Sequence, residues 1–177
     1  MLIHQCLSDY YGAYRALEDL YDAGKIRAIG ISNFSAERIA DIATFNRIVP
    51  AVNQVETHLF WQQYDLHEWM AKYNIQHEAW GPLAQHRLKE ILESPIVKQI
   101  ADVHGKTPAQ VALRQHVQRG IVVIPKSVHK ERMKQNLDIF DFELTNDEME
   151  QLKTLDENKS MWAEYDDPMI VQYAMAE

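Results

Sequence analysis

The sequence predicts an α/β fold of about five parallel strands that alternate with helices. Four short apolar runs each end in a polar or aromatic cluster, and helix-like sequence fills the gaps between them. Strands that alternate with helices pair in parallel through right-handed crossovers. Because the carboxyl ends of parallel strands converge on the ligand pocket of such folds, the clusters predict one site collected from several strands. The runs are IRAIGISNF, AVNQVETH, IQHEAWGPL and IVVIPKS.

A short LIH segment at the start counts as a fifth strand. The spacing between the runs is close to the roughly 30 residues of a βα unit. The five predicted strands end near His4, Asn33, Gln54, Trp80 and Lys126.

The helices are predicted from apolar residues at helical spacing and from cap residues at their ends. A first helix over 10–24 stops at Gly24, Ser35 caps a second, and a third has Leu66 and Tyr73 on its apolar face. Two helical stretches occupy 86–119. The remaining signals are a capping box of Thr107 and Gln110, a helix carrying Met133, Leu137 and Phe140, and a last helix capped by Thr145 with Glu148.

Composition limits the classes of protein and partner. A chain of 177 residues is long enough for one well-buried core, so we expect a single domain over 1–177. The net charge of −8 argues against binding to nucleic acid or to anionic lipid. The single cysteine, Cys6, excludes an internal disulfide, and the start lacks the features of a secretory signal. No apolar run is long enough to span a membrane, and we expect a cytoplasmic protein.

Common cofactor and metal motifs are missing from the sequence. The six glycines form no G-x-G-x-x-G fingerprint, which disfavours a Rossmann dinucleotide site. The pair His67 and Glu68 lacks the second histidine of a zinc-protease helix, because Ala71 holds that position. No metal site is predicted.

Five segments together resemble the aldo-keto reductases, most closely the bacterial members near the diketogluconate reductases. They are LIHQ at 2–5, GKIRAIGISNF at 24–34, VNQVE at 52–56, EAWGPLAQ at 78–85 and PKSVHKERMKQN at 125–136. The resemblance implies an incomplete (β/α)8 TIM barrel that binds NADPH at the carboxyl ends of its strands. Complete members have about three more strand-helix units before the LIH strand, so the expectation is a carboxyl-terminal portion of such an enzyme.

The resemblance carries one catalytic residue onto this chain. In the family an aspartate, a tyrosine, a lysine and a histidine form the catalytic set, and only the histidine has a counterpart, His4. Its imidazole would donate to the carbonyl oxygen of the substrate and help to orient it. The family's proton donor is the tyrosine, whose pKa the neighbouring lysine lowers.

The cofactor residues are better represented. By resemblance, Ser32, Asn33 and Gln54 would hydrogen-bond the nicotinamide carboxamide, and Trp80 would stack on that ring. Gly81 and Leu83 lie where the backbone approaches the pyrophosphate. The 2′-phosphate and the adenine would be held by Lys126, Ser127, Arg132 and Asn136. Gln135 stands where the family often has an acidic residue, which weakens the adenine assignment.

Structural alternatives stay open for each residue. Ser32 and Asn33 are also typical of a turn that caps the next helix, and Trp80 of a core aromatic ahead of a turn. Lys126 and Arg132 are also consistent with a solvated face. The leading hypothesis is an NADPH-dependent oxidoreductase that reduces small aldehydes or ketones, and the alternative is a noncatalytic NADP-binding or interaction module. With neighbouring strands missing, the open sheet edges also predict self-association.

Overall fold

The computed structural model describes residues 1–162, 169 and 171. The remainder of the predicted domain 1–177 lies outside the described residues. The chain divides into two compact units. Unit 1 holds Met1–Val55, Gln63–Glu78 and the described residues from Ser160 onward, and unit 2 holds Glu56–Gln62 and Ala79–Lys159.

Five short strands form one sheet in the order β1-β2-β3-β4-β5. They are β1 Leu2–Ile3, β2 Gly30–Ser32, β3 Val52–Glu56, β4 Gln76–Trp80 and β5 Val122–Val123. Strand β2 pairs in parallel with β1 and with β3. The predicted α/β fold with five parallel strands is therefore confirmed.

Gly30 lies at a close approach within this sheet. A Cβ atom added to Gly30 would lie 2.6 Å from Cγ1 of Val52 and 3.1 Å from Cβ of Leu2. The distance to Val52 is shorter than the contacts that Cβ atoms make in proteins. The absence of a side chain lets β1 and β3 flank β2 at this position.

Unit 1 contains helices α1 Tyr10–Asp22, α2 Ala36–Phe45 and α3 Tyr64–Lys72. Helix α1 ends before the predicted limit because Gly24, at a φ of 68°, is in the left-handed region. Ser35 occupies the N-cap position of α2 as predicted, but its hydroxyl donates to the Glu37 carboxylate and makes no capping bond to the backbone. The core of this unit includes Tyr14, Ile29, Ile31, Phe34, Ile39, Ile42 and Met70.

Unit 2 contains a 3₁₀ turn and five α-helices among its described residues. They are the turn Gln85–Arg87, α4 Leu88–Glu93, α5 Pro95–His104, α6 Pro108–Gln118, α7 Lys130–Leu137 and α8 Asn146–Lys153. The interval 86–119 thus holds three α-helices where two helical stretches were predicted. The extra boundary lies at Ser94 and Pro95, because Ser94 caps α5 and a proline disfavours helical backbone in the residue before it.

Both predicted capping boxes are present. The backbone N–H of Gln110 donates to Oγ1 of Thr107 at 3.3 Å, and the N–H of Thr107 donates to Oε1 of Gln110 at 2.9 Å. The same exchange joins Thr145 and Glu148 at the start of α8. Phe140, predicted on the preceding helix, lies beyond the end of α7.

Glu148 also accepts from outside its own helix. Its carboxylate lies 2.9 Å from Nε2 of His104, at the end of α5. Burial alone would raise the pKa of the Glu148 carboxyl, but hydrogen bonds from Thr145 and His104 outweigh burial and hold that pKa below its usual range. The stability that this carboxylate contributes is therefore present above its unfolded pKa of about 4.3 and is lost as pH falls through the lower folded pKa.

Replacing Glu148 by Gln is expected to lower the free energy of unfolding by about 1 kcal/mol at pH 7, because the ionised partner of the cap and of His104 is removed. At about pH 3 the wild-type carboxyl is also approaching its neutral form, so the difference should shrink. Urea unfolding at both pH values measures it, with Glu150→Gln on the exposed face of α8 as the control. An equal loss at both pH values would contradict the assignment.

Within the described part of the chain, no helix has the length and apolar character needed to cross a lipid bilayer.

Candidate functional site

In unit 1, the ends of β2 and β3 are tied together through one carbonyl group. The Ser32 hydroxyl donates to the Gln54 carbonyl at 2.8 Å, and the Asn33 backbone N–H donates to the same oxygen at 2.9 Å. Both residues are buried, with exposed fractions of 1% and 3%. Asn33 has a φ of 61°, a left-handed conformation that asparagine tolerates better than most residues. Ser32 and Asn33, two of the three residues predicted to bind the carboxamide, are thus hydrogen-bonded to the third, Gln54.

His4 joins this group through its backbone. The Asn33 side-chain Nδ2 donates to the His4 carbonyl at 3.2 Å, while the His4 side chain is exposed. Nε2 of Gln54 donates to the carboxylate of Glu78, which lies in β4. The structure therefore brings together His4, Ser32, Asn33 and Gln54, the four predicted site residues of unit 1.

Asn53 supports this group and was missed in the sequence. Its side chain is fully buried, Nδ2 donates to the Phe34 carbonyl at 2.9 Å, and Oδ1 accepts from the Phe34 N–H at 3.4 Å. The amide thereby holds the backbone directly after Asn33. A polar residue beside Gln54 in the VNQVE strand was the available signal.

In unit 2, five predicted cofactor residues line one cavity of about 410 Å³. Its apolar walls include Leu88 and Leu92 of α4. The volume lies within the range of small-molecule pockets. The predicted residues at the cavity are Leu83, Lys126, Ser127, Arg132 and Asn136.

Trp80 and Gly81 precede Leu83 at the end of β4. The Trp80 carbonyl accepts from the Thr57 N–H at 3.2 Å, which links the segments that follow β3 and β4 within unit 2. Gly81 has a φ of 62°, a conformation that side-chain-bearing residues rarely adopt. This backbone turns the chain from the strand into the residues that wall the cavity.

Lys126 and Arg132 supply positive charge to the cavity. Both are exposed, and among the described residues neither forms an ion pair. Ser127 accepts from the His129 N–H at 3.1 Å, just before α7 begins at Lys130. Cations without an internal counter-ion, next to a helix start, suit a bound phosphate.

Two buried ionisable residues, one at the end of β3 and one just beyond it, were not predicted as site residues. Glu56 and His58 are fully buried, and Nε2 of His58 lies 3.0 Å from the Glu56 carboxylate. Nδ1 of His58 accepts from the Phe60 N–H at 3.2 Å, so its proton is on Nε2, which donates to Glu56.

A second set of buried hydrogen bonds fixes which ring nitrogen of His116, on α6, carries the proton. Nε2 of Gln62 donates to the carbonyls of Leu59 and Leu152 at 2.9 and 2.8 Å, so Oε1 of Gln62 accepts from Gln115 Nε2 at 2.9 Å. The side-chain oxygen of Gln115 then faces Nδ1 of His116, so Nδ1 must carry the ring proton. Burial and the nearby Arg119 charge lower the pKa of His116 to about 3, so the ring is neutral.

Known proteins share this fold and these motifs. A sequence profile of the aldo/keto reductase family matches residues 3–157. The chain belongs to the aldo/keto reductase family, as the resemblance predicted, and enzymes of this family use NADPH.

Three of the curated relatives are bacterial reductases that are longer than this chain. An aldo-keto reductase of Mycolicibacterium smegmatis is 43% identical over 152 residues, which are 86% of this chain and 54% of that protein. The glyoxal reductase of Bacillus subtilis is 43% identical over 159 residues, 89% of this chain and 56% of that enzyme. The methylglyoxal reductase DkgA of Escherichia coli K12 is 37% identical over 155 residues, 88% and 56%. The chain spans about half the length of these relatives.

Solved structures give the same assignment. An aldo-keto reductase from a Medee basin deep-sea metagenome library matches 94% of this chain and 63% of its own, with a TM-score of 0.89 and 42% identity. A mutant of Gox0644 in complex with NADPH matches 94% and 62%, with a TM-score of 0.86 and 38% identity. The predicted fold class, part of the aldo-keto reductase TIM barrel, is thereby confirmed.

Proposed function

We propose that this chain binds NADPH and serves the reduction of small aldehydes or ketones to alcohols. The observation that carries the proposal is the cavity of unit 2, where Lys126 and Arg132 lie beside Leu83 and Asn136. Two cations and a polar amide that line a partly apolar cavity suit a nucleotide that bears a phosphate. Relatives that reduce glyoxal and methylglyoxal support the substrate class.

Each end of the cofactor has candidate ligands. Lys126, Ser127 and Arg132 would hold the 2′-phosphate, and Asn136 would contact the adenine. The Gly81 and Leu83 backbone would face the pyrophosphate, and the Trp80 ring would stack on the nicotinamide.

In unit 1, the Ser32 hydroxyl donates to Gln54 and keeps its lone pairs free to accept from an amide. Ser32, Asn33 and Gln54 would therefore orient the nicotinamide carboxamide. When bound, NADPH supplies a hydride to a carbonyl carbon. His4 would donate a hydrogen bond to the carbonyl oxygen, where negative charge develops.

A noncatalytic NADP-binding module is the second candidate. Five predicted cofactor residues share one cavity, whereas only His4 has a counterpart in the family's catalytic set. The two candidates agree on the ligand and differ on turnover. Under either candidate, we propose a cytoplasmic location for the chain.

Fluorescence titration of the 177-residue chain with NADPH tests the proposal. We expect saturable quenching of tryptophan emission, and Trp80→Phe should remove much of it because Trp80 would contact the nicotinamide. Trp69→Phe, on the partly exposed surface of α3, is the matched control. A folded chain that gives no saturable signal with NADPH would contradict both candidates.

Self-association is a further part of the proposal. Strands β1 and β5 are at the two ends of the sheet order, and Val122 and Ile124 are 43% and 47% exposed. Open edges with exposed apolar side chains recruit other chains.

We therefore expect a dimer or larger assembly at micromolar concentration, and replacing both Val122 and Ile124 by Lys should shift the chain toward monomer. Light scattering coupled to size exclusion gives the mass of each variant. A wild-type chain that stays a well-folded monomer would show that these edges do not pair.

A further inference from the structure

The loop at 81–88, which leaves β4 and enters α4, is held in an unfavourable backbone conformation. Ala84 and Gln85 have φ values of 56° and 41°, in the left-handed region that residues with a Cβ atom avoid. Leu83 and Leu88, on either side of these two residues, line the cavity of unit 2. Contacts outside the loop must stabilise a conformation that its own backbone disfavours.

Arg87, within this loop, contacts residues outside it. Its guanidinium makes two hydrogen bonds to Glu90, at 2.9 and 2.7 Å, and two to Glu157, at 2.9 and 2.7 Å. One face of the group lies over the Phe60 ring, 4.2 Å from its centre. A planar fork with five donors can satisfy two carboxylates at once, which a lysine cannot do.

The two carboxylates differ in where they come from. Glu90 is three residues away on α4, so this pair stays within the local helix. Glu157 is 70 residues away, after α8.

The segment around Glu157 is itself fixed. The Glu157 N–H donates to the Phe60 carbonyl at 2.9 Å, and the adjoining Asp156 carboxylate accepts from the Gln62 N–H at 3.2 Å. Hydrogen bonding to Arg87 holds the pKa of the Glu157 carboxyl below its usual range, so the carboxylate is ionised at neutral pH.

We propose that Glu157 is a positioning residue for the 81–88 loop, and that it acts through Arg87 to keep Leu83 and Leu88 where they wall the cofactor cavity. The link to the cofactor rests on the proposed NADPH function. Glu157 touches neither the cavity nor its phosphate residues, so its effect on binding is transmitted through the conformation of the loop. The residues that follow α8 thereby set how well the loop is prepared for a nucleotide.

The test compares Glu157→Gln with Glu90→Gln, since each removes one carboxylate from the same guanidinium. Amide hydrogen exchange of 81–88 is measured without ligand, and NADPH affinity is measured by fluorescence titration. Glu157→Gln is expected to speed exchange in the loop and to weaken NADPH binding by about tenfold, the loss typical of a charge-assisted pair. Glu90→Gln should change both by less than about threefold, because the long-range tie remains.

Arg87→Lys provides an independent variant that keeps the charge and loses the fork. It should resemble Glu157→Gln in loop exchange, while exchange in α6 stays at the wild-type rate, which separates loop positioning from general destabilisation. Equal loop exchange in Glu157→Gln and Glu90→Gln would overturn the positioning role. Faster loop exchange in Glu157→Gln with unchanged NADPH affinity would overturn the link to the cofactor. A wild-type chain that does not bind NADPH would overturn the proposed function. In that case the hydrogen-exchange rates of the loop still decide whether Glu157 positions it.

Discussion

The 177-residue chain is expected to reduce small aldehydes with NADPH at a rate about 10²- to 10⁴-fold below that of a complete site. Hydride transfer leaves an alkoxide that must be protonated, and the family's tyrosine donor has no counterpart among these residues. His4, the one predicted counterpart from the catalytic set, has an exposed side chain directly after β1. A single exposed imidazole orients a substrate poorly and is a weak substitute for a positioned acid.

The measurement is aldehyde-dependent oxidation of NADPH by the purified chain, beside His4→Ala. Most of the residual rate of aldehyde reduction should be lost in His4→Ala, whereas the affinity for NADPH should stay unchanged. A turnover of about 1 s⁻¹ or more that survives the His4 change would contradict both the mechanism and the site assignment.

Dinucleotide binding is expected to favour NADPH over NADH, and Arg132→Ala should lower that preference by about tenfold or more. Charge-assisted hydrogen bonds from Lys126 and Arg132 to the 2′-phosphate are worth roughly 1.5 to 3 kcal/mol each, which corresponds to a tenfold or larger preference per contact. NADH affinity should change little, because that cofactor lacks the phosphate.

Fluorescence titration of both cofactors against wild type and Arg132→Ala tests this preference. Lys134→Ala is the matched control, since Lys134 is a cation of the same helix that does not line the cavity. Equal affinities for NADPH and NADH in wild type and in Arg132→Ala would assign the two cations another role.

Local sequence patterns predicted most of the secondary structure because the interactions involved are short-range. The capping boxes of Thr107 and Thr145 require only residues three positions apart, and both formed as expected. The same reasoning was wrong about the Ser35 hydroxyl, since Glu37 competes for it. It also overlooked the helix boundary at Pro95, although a serine followed by proline was visible in the sequence.

The site residues were predicted from segments that match the family, whereas the contacts that support them join distant parts of the chain. Gln62 meets the Leu152 carbonyl across 90 residues, and Arg87 meets Glu157 across 70. Each partner, taken alone, is an ordinary polar residue with no distinguishing spacing. The cofactor contacts themselves stay predictions until a nucleotide is bound.

The buried hydrogen bonds that lead from Leu152 to His116 all run in one direction, and this limits which residues position 116 can accept. The Leu152 carbonyl can only accept, so Gln62, Gln115 and the ring at 116 are each forced to donate toward the previous group. A replacement at 116 must therefore present an N–H at the place of Nδ1. Asparagine satisfies this rule, whereas aspartate brings a second acceptor and an unpaired buried charge, so variation at this position should follow donor geometry rather than size or hydrophobicity.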